Sequence, residues 1–92
     1  REKKYNLAIE WLTKAIECGW KTALTHGVRG QAHQALGEYE AAIADYKESL
    51  RIEPRQGRVD NYLSACYLQM GDVDEAKKAL ADHYTGPELK LH

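Results

Sequence analysis

Shifted by 34 residues, the chain falls on itself. Tyr5, Tyr39 and Val73 come into line, as do Ala8, Ala42 and Ala76, and Leu12, Tyr46 and Leu80. Ala15 meets Ser49, and Ile16 meets Leu50. In the segments that precede, the same shift pairs Gly30 with Ser64, Ala32 with Cys66, His33 with Tyr67, Gly37 with Gly71 and Glu38 with Asp72. A fixed period of about 20–50 residues marks stacked repeats, in which a unit too small to close its own core buries its apolar face against the next.

The repeating unit is helical. Leu7, Ala8, Trp11, Leu12, Ala15 and Ile16 recur at helical spacing; so do Ala42, Ile43, Tyr46, Ser49 and Leu50, and Leu63, Cys66, Tyr67 and Met70. Each set is one apolar stripe on a helix. No segment sustains strand alternation, good helix formers dominate and β-branched residues are few. Breaks fall at Cys18-Gly19, Gly37, Pro54, Gly71-Asp72 and Gly86-Pro87. This pattern predicts five helices, over 5–18, 23–36, 39–53, 57–70 and 73–84, with 85–92 a frayed tail. Connections this short make sequential helices antiparallel. Gly30 or Ser64 on a first helix, and Ala42 or Ala76 on a second, let backbones approach to about 8 Å. Tyr46, Leu50, Leu63 and Leu80 fill the space around them, and Gly37 and Gly71 supply the left-handed turn between the two helices.

The run from Gly30 through Gly37-Glu38-Tyr39-Glu40-Ala41-Ala42-Ile43, Tyr46 and Ser49-Leu50 to Pro54 resembles a tetratricopeptide repeat. Leu63-Ser64, Tyr67, Gly71-Asp72, Ala76 and Leu80 resemble a second, and Tyr5 to Ile16 the second helix of an earlier one. The resemblance covers about residues 3–84 and implies an all-α, right-handed α-solenoid of antiparallel helix-turn-helix repeats. On that reading 1–22 is the second helix of a partial repeat, 23–56 and 57–84 are repeats, and 85–92 is a C-terminal tail. The chain departs from the family at His26 and Arg29, where bulky apolar residues are usual; Asp60 stands at the equivalent of His26. Trp20 stands where the family often has Pro. The first helix of the middle repeat is therefore the least typical.

Composition narrows the partners. In a chain of 92 residues, thirteen Lys and Arg against fourteen Asp and Glu leave a net charge of −1. That excludes a broad basic footprint for nucleic acid or anionic membrane. No run approaches the ~18 apolar residues of a membrane-spanning helix. Cys18 and Cys66 form no CxxC or Cys/His cluster. They read as small, partly buried hydrophobes in a reducing, intracellular compartment, cytoplasm or organelle interior. The start at Arg1, and Leu7, Trp11 and Leu12 with no upstream helix to cover them, suggest a piece of a longer array, with self-association through the N-terminal helix as one consequence.

Nothing in the sequence assembles catalysis. Neither cysteine has a histidine at helical spacing. His26 and His33 are seven apart on nearly one face but lack a nearby third ligand, so no metal and no cofactor is expected, and the pair reads as half-buried at a helix interface. Glu38, Glu40 and Asp45 read as first-turn charges favoured by the helix dipole. Trp11, one turn from Leu7 and Ala15, reads as core or a lost interface, and Tyr5, Tyr39 and Tyr46 as packing. The expected function is not enzymatic.

The resemblance implies instead a protein–protein interaction module, scaffold or adaptor. In the family, first helices of successive repeats line a concave groove that takes a peptide or helix of a partner. Here that surface would comprise Gln31, Gln34 and Ala35 from the middle repeat, and Arg58, Asn61, Ala65, Leu68 and Gln69 from the last. Asn and Gln side chains can bond both backbone groups of an extended peptide. Leu68 could take an apolar side chain, and Arg58 a carboxylate in a bidentate fork. The alternatives are a structural spacer or oligomerisation element, and a chaperone adaptor that grips a C-terminal carboxylate. The positions of that carboxylate clamp would be Gly27, Gln31, Arg58 and Tyr62, and only Arg58 fits.

Overall fold

The computed structural model describes residues 2–83, and side chains as far as Ala81. The proposed tail over 85–92, and residue 84, lie outside the described residues. Five helices follow in order: α1 (Glu2–Glu17), α2 (Ala23–Ala35), α3 (Tyr39–Ile52), α4 (Gly57–Gln69) and α5 (Val73–His83). No strand occurs among the described residues. The helices stack as a right-handed α-solenoid, in which α2 packs on α3, α4 on α5, and α1 and α3 each on the helix that follows. The first helix begins three residues earlier than periodicity predicts, because Glu2, Lys3 and Lys4 are good helix formers with nothing to stop them.

The three glycine turns share one geometry. Gly37 and Gly71 adopt φ of +79° and +80°. The amide of the residue after each glycine reaches back five residues: Glu38 N–H donates to His33 O at 2.9 Å, and Asp72 N–H to Tyr67 O at 2.8 Å. This is the Schellman closure that a residue without Cβ makes at no steric cost. Trp20 N–H donates to Ala15 O at 2.9 Å in the same way, so the first turn is closed even though Trp20 is exposed. It is reinforced by a capping box that starts α2. Thr25 N–H donates to Thr22 Oγ1 at 3.1 Å and Thr22 N–H to Thr25 Oγ1 at 3.0 Å.

The core comprises Ala42, Ile43, Tyr46, Val59, Leu63, Cys66, Tyr67, Ala76 and Ala79, with Tyr39, Leu50 and Tyr62 packed against it. Tyr46 is its keystone. It lies over Gly30, stacks on Tyr62 with ring centroids 5.8 Å apart, and donates its hydroxyl to Gln34 Oε1 at 2.6 Å. Ser49 donates to Ala23 O at 2.8 Å. Gln56 Nε2 donates to Ser49 O at 3.0 Å and to Glu53 O at 2.6 Å, holding the end of α3 to the start of α4. The apolar stripes are less continuous than the sequence suggests. Leu7, Trp11 and Met70 are exposed, the first two on the outer face of α1 and Met70 at the C-cap of α4.

The two cysteines differ. Cys18 is exposed, contrary to its reading as partly buried, because it follows the last turn of α1; Cys66 is fully buried; both are free thiols. Burial pushes the Cys66 thiol up to about 11. An unfolded chain releases that proton near 9, while the folded chain keeps it. The unfolded state thus binds fewer protons above that pH, and folding stability falls as pH rises through this window. The melting temperature is expected to fall between pH 9 and about 11, and to fall less steeply in Cys66→Ala. A thiol reagent at neutral pH should label Cys18 at once and Cys66 only on unfolding. Equal labelling rates in the native state would contradict the packing.

Candidate functional site

Two features of α2 govern what this surface can do. One is polar and faces α3. His26, Arg29 and His33 lie along α2 at spacings of three and four residues and converge on Asp45. The Asp45 carboxylate accepts from Arg29 Nε at 2.8 Å and Nη2 at 2.7 Å, and sits 3.1 Å from His26 Nδ1. His33 Nδ1 is 2.7 Å from Glu38 Oε1, with its Nε2 3.8 Å from Asp45. Arg29 Nη1 donates to Thr13 Oγ1 of α1 at 3.1 Å, so one guanidinium joins three helices. The hydrogen bond from Arg29 to Asp45 raises the Arg29 pKa above its ordinary value. Asp45 is therefore no first-turn dipole charge. It lies in the second turn of α3 and only 4% of it is exposed, because Arg29 and His26 of α2 face it where bulky apolar residues are usual. The histidines do meet at a helix interface, with Asp45 between them. Among the described residues no group of three or more His, Cys, Asp and Glu is placed to hold a metal ion.

The other feature is apolar and open. Leu24, Val28 and Gln31, spaced four and three apart, share the face of α2 that α3 leaves uncovered. Across from them α4 presents Arg58, Val59 and Tyr62. The trough between the helices has a volume of about 290 Å³ and is completed by Ala23, Gly27 and Gln56. On the far side of Val28 and Gln31 lies a second trough, of about 180 Å³, against Lys4, Tyr5 and Ala8 of α1. The two are separated only by the Val28–Gln31 ridge they share. A larger concavity, about 630 Å³, lies at the turn around Gly37, Glu38, Tyr39 and Met70, and none of the residues expected to bind forms its walls.

Of the residues the sequence nominates, Gln31 and Arg58 come together in the first trough. Gln34 is half-buried and its oxygen accepts from Tyr46. Ala35, Asn61, Leu68 and Gln69 are exposed and Ala65 half-buried, outside both troughs. All four clamp positions, Gly27, Gln31, Arg58 and Tyr62, line the trough, and a Cβ on Gly27 would lie 3.5 Å from Ser49 Oγ of α3. Sequence reasoning missed Leu24 and Val28, although their spacing to Gln31 and Ala35 is a helix face in plain sight. It also missed Lys4, Tyr5 and Ala8, whose place in the site depends on how α1 docks.

Stacked antiparallel helix pairs with an open inner face define a helical-repeat solenoid. Residues 33–83 match the tetratricopeptide repeat family, and the chain belongs to it. Among curated relatives it is 32% identical to a DnaJ homolog subfamily C member 7 homolog of Schizosaccharomyces pombe, over 97% of this chain and 19% of the relative. It is 36% identical to heat shock protein STI1 of Saccharomyces cerevisiae, over 85% of this chain and 14% of the relative. It superposes on the solved structure of MamA AMB-1 with a TM-score of 0.83 and 29% identity, over 97% of this chain and 51% of that one. The chain thus spans about a fifth or less of those curated relatives and about half of the MamA chain. No helix among the described residues is long and apolar enough to cross a membrane.

Proposed function

We propose that this chain is a protein–protein interaction module that captures a peptide or helix of a partner on its inner face, without chemistry of its own. The observation that carries this reading is the open trough between α2 and α4, where Leu24 is 73% exposed beside Val28, Tyr62, Gln31 and Arg58. Apolar side chains with a few convergent polar groups are what a binding cleft requires. Gln31 can bond the backbone of an extended ligand, and Arg58 a carboxylate. Asn61, Leu68 and Gln69 would extend the contact along α4. The repeat boundaries at residues 22/23 and 56/57 are part of the same reading, and the exposed free thiol of Cys18 fits a reducing compartment.

The test is a displayed peptide library selected on the intact protein and on its Val28→Lys variant, with Lys77→Gln on α5 as a surface control. Enriched sequences should bind wild type and the control and lose at least tenfold in affinity to Val28→Lys, about 1.4 kcal/mol. Enrichment that ignores Val28→Lys would move the binding surface elsewhere.

A second reading, as an oligomerisation element, rests on α1. Trp11 is 68% exposed beside exposed Leu7, with Lys14 Nζ 5.7 Å from the Trp11 ring. A concentration-dependent mass abolished by Trp11→Glu would favour it. The names of the heat-shock and DnaJ-homolog relatives keep the chaperone adaptor as a third reading. A requirement for a free C-terminal carboxylate on the ligand would select it.

A further inference from the structure

The charge along the inner face is segregated. The chain carries fourteen Asp and Glu, yet none lines either trough. The charged side chains that do line them are Arg58 of α4 in the first trough and Lys4 of α1 in the second. Both are exposed, and among the described residues neither forms an ion pair. Three other cations are paired: Arg29 with Asp45, Arg51 with Glu48 and Lys78 with Glu75. Between Lys4 and Arg58 the surface is apolar or uncharged: Tyr5, Ala8, Val28, Gln31, Leu24 and Tyr62. Two unpaired cations on different helices, divided by an uncharged ridge, form a pattern that a ligand of the opposite pattern would complement.

We propose that the inner face takes an acidic peptide segment whose apolar side chain sits in the trough of Leu24, Val28 and Tyr62, with one acidic side chain on Arg58 and a second on Lys4. This rests on the inner-face reading above and names the ligand it admits. Gln31, on the shared ridge, bonds the peptide backbone between the two acids. The carboxylates belong to side chains within the segment rather than to a chain end. A terminal carboxylate is a single anion and satisfies one of the two cations, whereas the cations stand in separate troughs. The groups around Arg58 in its trough are uncharged, so no second cation there closes on a terminus.

The experiment is fluorescence anisotropy with labelled, C-terminally amidated peptides, each a leucine flanked by two glutamates at graded spacings. Matched peptides carry glutamine for glutamate, and a further set has a free terminal carboxylate as its sole acid. Each is titrated with the intact protein and with Lys4→Gln, Arg58→Gln and Val28→Lys. The expected result is that one spacing of the acidic amidated peptide binds. Each cation removed should weaken it about fivefold, as for an exposed ion pair, with the difference shrinking at high salt. Val28→Lys should abolish binding by filling the trough. If glutamine peptides bind equally well, and lose binding only to Val28→Lys, the acidic ligand is overturned while the inner-face reading stands. If only the free terminal carboxylate binds, the internal-acid assignment is overturned in favour of a chain end. Binding that Val28→Lys does not touch overturns both the proposal and the inner-face reading. Failure of every acidic spacing to bind at millimolar protein overturns the proposal.

Discussion

Asp45→Ala is expected to cost about 3–5 kcal/mol of folding stability, the usual result of removing one partner from a buried ion pair. The carboxylate gathers two hydrogen bonds from Arg29, at 2.7 and 2.8 Å, with His26 Nδ1 3.1 Å away. With it gone, the Arg29 guanidinium keeps only its bond to Thr13 Oγ1 in a site where the side chain is one fifth exposed. Its charge then has no directly bonded carboxylate, only the weaker field of Glu17, and limited access to water. The loss should not stay in α2 and α3. Arg29 also reaches α1, so hydrogen exchange in α1 should accelerate more than exchange in α5. Asp45→Asn keeps the shape and an acceptor but not the charge, and should fall between wild type and Asp45→Ala. The double variant Asp45→Leu, Arg29→Met replaces the pair with apolar groups and should recover most of the loss, since a buried pair is worth little against a well-packed isostere. Urea denaturation of the four proteins measures the stabilities, and hydrogen exchange of Asp45→Ala the spread into α1. A loss below about 1 kcal/mol in Asp45→Ala would mean that water reaches the network and that the pair behaves as a surface bridge.

That network is also where sequence reasoning was least able to see. The period of 34 places the helices, because small residues at fixed spacing and glycines at the turns are local signals. The five helices begin and end within a few residues of the predicted bounds for that reason. His26 and Arg29 are visible as departures, but a departure names no partner. Asp45 is 16 residues from Arg29 and 19 from His26, and nothing along the chain announces that they converge. A carboxylate near the start of a helix reads as a dipole partner unless the facing cations are known. The inner face was half-legible for a similar cause. Gln31 and Arg58 lie where helix register puts them. The contribution of Lys4, Tyr5 and Ala8 depends on the docking of α1 against α2, a tertiary relation that the stripe on α1 does not encode.

Gly30→Val is expected to be the most damaging single addition of atoms to the fold. A Cβ at Gly30 would lie 2.7 Å from Tyr46 Cε1, 2.8 Å from Cδ1 and 3.2 Å from Cζ. Such distances require something to move, and the ring has no room to do so. Tyr46 has no exposed surface, stacks on Tyr62 and is tethered by its hydroxyl to Gln34 on α2 itself. Even Gly30→Ala sets two terms against each other. Replacing a helical glycine by alanine gains up to about 1 kcal/mol of helix propensity. Overpacking a rigid core costs about 1–3 kcal/mol. Because the contact is with a pinned ring rather than a flexible tip, overpacking wins, and Gly30→Ala should lower the urea midpoint. Gly30→Val adds two more carbons to the same clash and should lower it further. The repeat itself supplies the compensating change. At the equivalent place in the last repeat Ser64 carries a Cβ, and the residue equivalent to Tyr46 is Leu80. Gly30→Ala combined with Tyr46→Leu should therefore be more stable than Tyr46→Leu alone, since the ring is gone and the propensity gain remains. A midpoint that rises in Gly30→Ala alone would show that α2 and α3 can separate without loss, and the tight approach of the two helices would no longer explain the glycine.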